Sequence, residues 1–217
     1  VAGFTTYTGK IAVIPSDNVD TDRIIPARYL TRINRSGYGE LLFSDVRGPD
    51  FELDRPEAAG ASILIVGNNF GCGSSREHAV WAIQQAGFRA VIARIEPNKP
   101  GFADIFRQNS ANCGLLLIEL EVADHEALAS LKSGAAITID LPAQKISWQI
   151  SLGKGEVGFE INPSVKESVM YGLDLIGTTL LLNSQIDAYE QAHEFFVESK
   201  AEVDAATKVE LGAEMAR

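Results

Sequence analysis

Apolar residues fall along this chain in two rhythms. Ser62–Val66, Ala90–Ala93 and Leu115–Ile118 are short unbroken apolar runs, set off by glycine or polar clusters. Such a run predicts a strand buried on both faces, as in a parallel sheet covered by helices. The segments between them, from about Ser75 to Ala86 and around Phe102 to Asn109, predict helices. Strand, helix, strand, helix, strand predicts a parallel α/β core with right-handed crossovers. Farther along, Ala136–Asp140, Lys145–Ile150 and Val157–Ile161 alternate apolar with polar residues. That is the pattern of half-exposed antiparallel strands, with Pro142-Ala143 marking a turn. The predicted fold class is therefore α/β: a parallel core sheet, an antiparallel β section and a C-terminal helix.

The flanking segments are less regular. Thr8–Pro15 predicts a first strand, and the polar cluster Ser16–Asp22 a loop, with Pro26 limiting any helix that starts there. Arg32–Asp54 has little periodicity and reads as a long irregular excursion, a kind of segment that is usually functional when ordered. Helices are expected over Asp124–Lys132 and Pro163–Tyr171. A last helix starts near Ser184, carries Ile186, Tyr189, Phe196 and Val197, and gives way to a solvated tail beyond Lys200. The expected division is a main domain over 1–183 and a helix with polar tail over 184–217.

Composition narrows the function. The 217 residues are 46% hydrophobic and 22% charged, enough to bury a core without covalent staples. A net charge of -10 argues against a nucleic-acid partner, because phosphate binding needs a basic face. No apolar run is long enough to span a bilayer, and the first residues lack the basic-then-apolar pattern of a signal peptide, so no membrane is expected. Cys72 and Cys113 stand far apart and by themselves make neither a disulfide framework nor a metal-ligand set. A reducing compartment, the cytoplasm, is the expectation.

The densest chemistry is Asn68-Asn69-Phe70-Gly71-Cys72-Gly73-Ser74-Ser75-Arg76-Glu77-His78, between a buried strand and a helix. Open α/β sheets bind ligands at that end of a strand. Gly71 and Gly73 let backbone approach a ligand closely. The first turn of the helix offers free N–H groups to an anion, and Arg76 can add a bidentate grip on a carboxylate. The same N–H groups could stabilise an ionised Ser74. Plainer readings stand beside these. Ser74-x-x-Glu77 matches a capping box, His78 reads as a packing residue, and Cys72 as a small residue in a tight turn. Arg76 could equally pair with a carboxylate of the Asp20-Thr21-Asp22 loop. Gly71-x-Gly73 with Glu96 loosely echoes a dinucleotide fingerprint, but Arg76 stands where the third glycine belongs. The Asp17–Asp22 carboxylates lack an EF-hand's glycine and distal Glu, which favours a structural loop. Arg28, Arg32 and Arg35 suggest a solvated face or recognition of an anionic small molecule.

Asp17-Asn18-Val19-Asp20-Thr21-Asp22-Arg23-Ile24-Ile25-Pro26, taken with Asn69 through Ala79, resembles the small subunit of 3-isopropylmalate dehydratase, the swivelling-domain partner in the aconitase superfamily. Phe102-Ala103-Asp104-Ile105-Phe106 with Asn109-Ser110, and the Gly172–Leu180 stretch, extend the likeness to about residues 5–190. The resemblance implies a β/β/α swivelling domain that works with a large subunit carrying a 4Fe–4S cluster, with no cofactor on this chain. It implies interconversion of 2- and 3-isopropylmalate through isopropylmaleate in leucine biosynthesis, a small dicarboxylate being the substrate. Ser74 is implied as the base that takes a proton from carbon, with Ser75 and Arg76 as substrate ligands. A loop arginine, Arg35 or alternatively Arg32, is implied at a substrate carboxylate. Gly71, Cys72, Gly73, Asp20, Thr21 and Asp22 would support the site. Readings that remain open are a homoaconitase or methylmalate-type small subunit, and a non-enzymatic ligand- or nucleotide-binding module. Glu96-Pro97-Asn98-Lys99-Pro100-Gly101 departs from the family's tighter turn, and the tail after about Lys200 has no recognised counterpart.

Overall fold

The computed structural model describes residues 3–150 and 153–193. Chain order runs β1 (Thr6–Ile14), α1 (Thr21–Ile24), β2 (Ala61–Val66), α2 (Glu77–Gln85), β3 (Ala90–Ile95), α3 (Asp104–Cys113), β4 (Leu116–Glu121) and α4 (Val122–Ala129). There follow β5 (Ala136–Asp140), β6 (Lys145–Ile150), β7 (Gly153–Gly158), α5 (Pro163–Tyr171), α6 (Leu175–Leu180) and α7 (Asn183–Ala192). The chain divides into two compact units, Val1–Asp174 and Leu175–Arg217.

The strands form one sheet in the order β4-β3-β2-β1-β5-β6-β7. β1 through β4 pair in parallel, whereas β5, β6 and β7 extend the other edge of β1 antiparallel. The sequence of β1 explains the changeover. Its first half, Thr6-Tyr7-Thr8-Gly9-Lys10, alternates exposed and half-exposed positions and pairs with β5. Its second half, Ile11-Ala12-Val13-Ile14, is continuously apolar and pairs with β2, after an irregularity between Lys10 and Ile11. One strand thus carries both rhythms. Two apolar layers cover the sheet. Ile14, Leu64, Val66, Val91 and Ala93 pack with Val80 and Ile83 of α2 and Phe106 of α3 on one face. Ile11, Ile63, Ile65, Ile92 and Ile118 pack with Leu128 of α4 and Val169 of α5 on the other.

Several expectations move. The third antiparallel strand lies at Gly153–Gly158 rather than Val157–Ile161. It is an edge strand with little apolar alternation of its own. Gly155 lies so close to the Trp148 indole that a Cβ there would fall 2.5 Å from Cε2, and Lys145 pairs with Glu156 across the strands at 2.7 Å. α2 begins at Glu77, two residues later than expected. α3 continues to Cys113, where Gly114 closes it in the left-handed conformation at φ 73°. α6 was not anticipated. Phe196, Val197 and the expected tail lie outside the described residues. The irregular excursion is ordered: single 3-10 turns at Ala27–Tyr29, Gly39–Leu41, Glu52–Asp54 and Pro56–Ala58 bury Tyr38, Leu42, Phe43 and Phe51 in the first apolar layer.

His125 of α4 should give the fold a pH dependence. It is 4% exposed, and its Nε2 lies 2.8 Å from the Val66 carbonyl oxygen, so Nε2 carries the proton and donates. Nδ1 is buried with no partner. Burial pushes its pKa below the usual 6.5, the Val66 carbonyl opposes the shift, Arg94 adds to it, and Glu126 and Asp17 oppose it more weakly. A histidine with a depressed folded-state pKa contributes stability in full above the unfolded value, and loses it as pH falls through the folded one. His78 shifts in the same direction. Thermal melts should therefore fall between pH 7 and pH 5.5, and His125→Gln should fall less over that window. An equal drop in both proteins would show that His125 does not contribute.

Candidate functional site

Three loops leave the carboxyl ends of β1, β2 and β3 and are laced together there. Asn18 N–H donates to Asn68 O at 2.9 Å, Gly71 N–H to Val19 O at 2.8 Å, and Thr21 N–H to Cys72 O at 2.9 Å. Asn69 N–H donates to Pro100 O at 2.8 Å and Phe70 N–H to Gly101 O at 2.9 Å. Charged side chains lock the bases of these loops. Arg94 Nη2 donates to both Asp17 oxygens at 3.0 Å, and Nε to Glu96 Oε1 at 3.0 Å. Lys99 and Arg94 hold the Glu96 carboxyl below its usual range. Gly101 N–H and the Arg107 fork both reach Glu119 of β4. The Glu96–Gly101 departure is thus a tight reversal, with Glu96 and Lys99 exchanging backbone hydrogen bonds, that seats the start of α3 against Phe70.

The laced loops enclose a cleft of about 260 Å³. Thr21, Gly71, Gly73, Ser74, Ser75 and Arg76 line one side, and Ala103, Asp104, Ile105, Phe106 and Asn109 of the α3 region line the other. Ser74 and Ser75 are exposed. Thr21 is buried and brackets the serine loop, because its Oγ1 donates to Ser74 O at 2.8 Å while its N–H holds Cys72.

The capping-box reading of Ser74 does not hold. Arg76, in extended conformation at φ -142°, occupies the position before α2, and no side chain caps that helix. The first turn of α2 therefore presents its N–H groups uncapped, next to the cleft, with the dipole's positive end behind them. Arg76 precedes that turn instead of lying on it, and pairs with Asp22: Nη2 donates to Oδ2 at 2.8 Å. The guanidinium holds the Asp22 carboxyl below the usual range. Asp20 caps α1 by accepting from Arg23 N–H at 2.7 Å. Each carboxylate of the Asp17–Asp22 loop thus has a structural partner. Among the described residues no group of three or more His, Cys, Asp or Glu side chains is arranged to hold a metal ion.

The other sequence candidates lie elsewhere. Arg32 and Arg35 do not line the cleft. Arg32 lies over the Tyr29 ring at 5.6 Å and Arg35 over Trp81 at 5.1 Å, while Arg28 pairs with Asp45. His78 packs edge-on to Tyr38 and against Trp81. Burial pushes the Cys72 thiol up, which removes the case for an activated thiolate. Sequence reasoning assigned no role to Arg94, Glu119 or Arg107, nor to the α3 wall. Their signal was an Arg or Glu inside an otherwise apolar strand, at Arg94 and Glu119.

A family model described as the aconitase C-terminal domain matches residues 1–123. A 3-isopropylmalate dehydratase small subunit from Chloroflexus aggregans is 45% identical over 199 residues, 87% of this chain and 93% of that one. One from Bacillus licheniformis is 44% identical over 193 residues, 86% of this chain and 94% of that one. This chain belongs to the 3-isopropylmalate dehydratase small-subunit family. The crystal structure of a 3-isopropylmalate dehydratase (leuD) from Methanocaldococcus jannaschii superposes with a TM-score of 0.60 at 29% identity, covering 85% of this chain and 99% of that one. The mixed seven-stranded sheet is thus the family's fold, and the cleft lies on the part that the family model spans. Among the described residues no helix is long and apolar enough to cross a membrane.

Proposed function

We propose that this chain is the small subunit of a 3-isopropylmalate dehydratase, a hydro-lyase of leucine biosynthesis that works in the cytoplasm with a large subunit. Full-length likeness to small subunits of that name supports the reading. The observation that carries it at the level of the site is the juxtaposition of an exposed Ser74 and Arg76 in one cleft of small-molecule size, with the uncapped start of α2 next along the chain.

In this reading a dicarboxylate substrate enters with a carboxylate toward Arg76 and the α2 N–H groups. Ser74 Oγ, as alkoxide, takes the proton from the carbon next to the one bearing hydroxyl. The electron pair left on that carbon forms the double bond as the hydroxyl departs as hydroxide, which a Lewis acid on the large subunit would hold, and isopropylmaleate results. Water returns with the opposite regiochemistry: hydroxyl adds to the carbon that lost the proton, and the proton adds to the carbon that lost hydroxyl. The cationic Arg76 and the helix start lower the cost of a serine alkoxide, whose proton is otherwise far too tightly held at neutral pH. Ser75, beside Ser74, would hydrogen-bond the substrate. Arg32 or Arg35 would reach a substrate carboxylate only after leaving its aromatic ring. Cys72 and Cys113 do not fit a cluster site on this chain. There are two of them, in separate elements, whereas such a cluster is held by several thiolates. In this reading a 4Fe–4S cluster would sit on the large subunit.

Mixing the purified chain with a large subunit of the family should produce turnover of 2-isopropylmalate that neither chain shows alone. An assembled pair that acts on homocitrate or a methylmalate but not on isopropylmalate would replace the substrate assignment. Arg76→Lys keeps the charge and removes the planar fork, so a carboxylate-gripping arginine should lose about 1.5–3 kcal/mol in kcat/KM. Wild-type kinetics in that variant would remove Arg76 from the substrate site.

A further inference from the structure

We infer that Asp22 is a positioning residue for Arg76: it holds the guanidinium in its cleft-lining pose, so that the anion grip is made by the pair and not by Arg76 alone. The inference rests on the functional reading above and concerns how its arginine is held.

The Arg76 side chain is 11% exposed and that of Asp22 is 58% exposed. The carboxylate faces the end of the guanidinium fork, with Nη1 lying 2.5 Å from Oδ1 beside the Nη2–Oδ2 hydrogen bond. Nη1 is nevertheless buried without a well-aligned acceptor. The guanidinium is therefore charge-paired with Asp22 and remains a cation. Arg76 lines the cleft and Asp22 does not, so a ligand there need not displace Asp22.

Two costs make the pairing necessary. A largely buried guanidinium needs a counter-charge, and Arg76 stands just before α2, where the helix dipole opposes a cation. Asp22 offsets both, and it is itself fixed. It sits in the first turn of α1, which Asp20 caps, and the neighbouring Thr21 is bolted to Cys72 and Ser74. The guanidinium in turn holds the Asp22 carboxyl below the usual range. An arginine held in advance in one pose loses less freedom when a ligand arrives.

The test has two arms. In the isolated chain, nitrogen-15 NMR of the Arg76 guanidinium should show slow rotation about Nε–Cζ in wild type. Rotation should be clearly faster in Asp22→Ala and intermediate in Asp22→Asn, which keeps one acceptor. In the pair assembled with a large subunit, KM for 2-isopropylmalate should rise about 2- to 10-fold in Asp22→Ala, and less in Asp22→Asn, with kcat little changed. A lower KM would show that Asp22 competes with substrate. An unchanged KM with a lower melting temperature would leave it a structural brace. Equal guanidinium mobility in wild type and Asp22→Ala would show that it holds nothing. Each of these overturns the inference. A wild-type pair that does not turn over isopropylmalate would defeat the functional reading alone, and the NMR arm would then decide the role of Asp22 by itself.

Discussion

Ser74→Ala should reduce kcat in the assembled enzyme by about two to four orders of magnitude, the scale of losing a positioned general base. Its melting temperature should hardly move, because every structural link at this position is made by backbone. Ser74 O accepts from Thr21 Oγ1, a hydrogen bond that alanine keeps. The side chain is exposed and caps nothing, since Arg76 occupies the position before α2. The cost of about 1 kcal/mol expected for removing a serine cap should therefore be absent. Ser75→Ala is the natural comparison. One lost substrate hydrogen bond should cost about 0.5–1.5 kcal/mol, and mainly in KM. Turnover on both variants, with melts as control, separates the roles. Near-normal kcat in Ser74→Ala would end the case for Ser74 as base. An equal fall in both would make the loop a unit with no single proton acceptor.

The legible and illegible parts of this chain differ in how local their causes are. β2, β3 and β4 could be read because burial on both faces leaves an unbroken apolar run. β7 could not, since Gly153-Lys154-Gly155-Glu156 owes its place to the ladder with β6 and to the room a glycine leaves for Trp148. The start of α2 was misplaced for a similar reason. Ser74-x-x-Glu77 is a sound local signal for a cap, but Thr21, 53 residues away, holds the Ser74 carbonyl, and Asp22 draws Arg76 into an extended pose. Tertiary hydrogen bonds overrode the local preference. Sequence marked Ser74, Ser75, Arg76 and Thr21 as candidates, and the fold brings all four to one cleft. It could not show that α3 supplies the opposite wall, or that Arg32 and Arg35 lie over aromatic rings. Those placements depend on which surfaces the crossovers bring together.

Gly71→Ala should be the most damaging small change at the cleft. Gly71 has φ 77°, in the left-handed region, where a Cβ costs about 1–2 kcal/mol. That Cβ would also fall 2.5 Å from Phe106 Cδ2 and 2.7 Å from Phe106 Cβ. Phe106 cannot easily retreat. It is 2% exposed, meets Phe70 edge-on with ring centroids 5.5 Å apart, and stacks on Phe102 at 6.1 Å. Overpacking of such a site typically costs a further 1–3 kcal/mol, so the expected loss is about 2–5 kcal/mol. That is a large share of the stability of an ordinary domain. Gly73→Ala separates the two causes. Its φ is 88°, but the nearest atom to a built Cβ is Asp20 Cβ at 3.5 Å, an ordinary contact. It should pay the backbone cost alone, about 1–2 kcal/mol. Urea unfolding of the two variants measures the difference. If Gly71→Ala proves no worse than Gly73→Ala, then Phe106 yields freely, and the α3 wall of the cleft is softer than its aromatic packing implies.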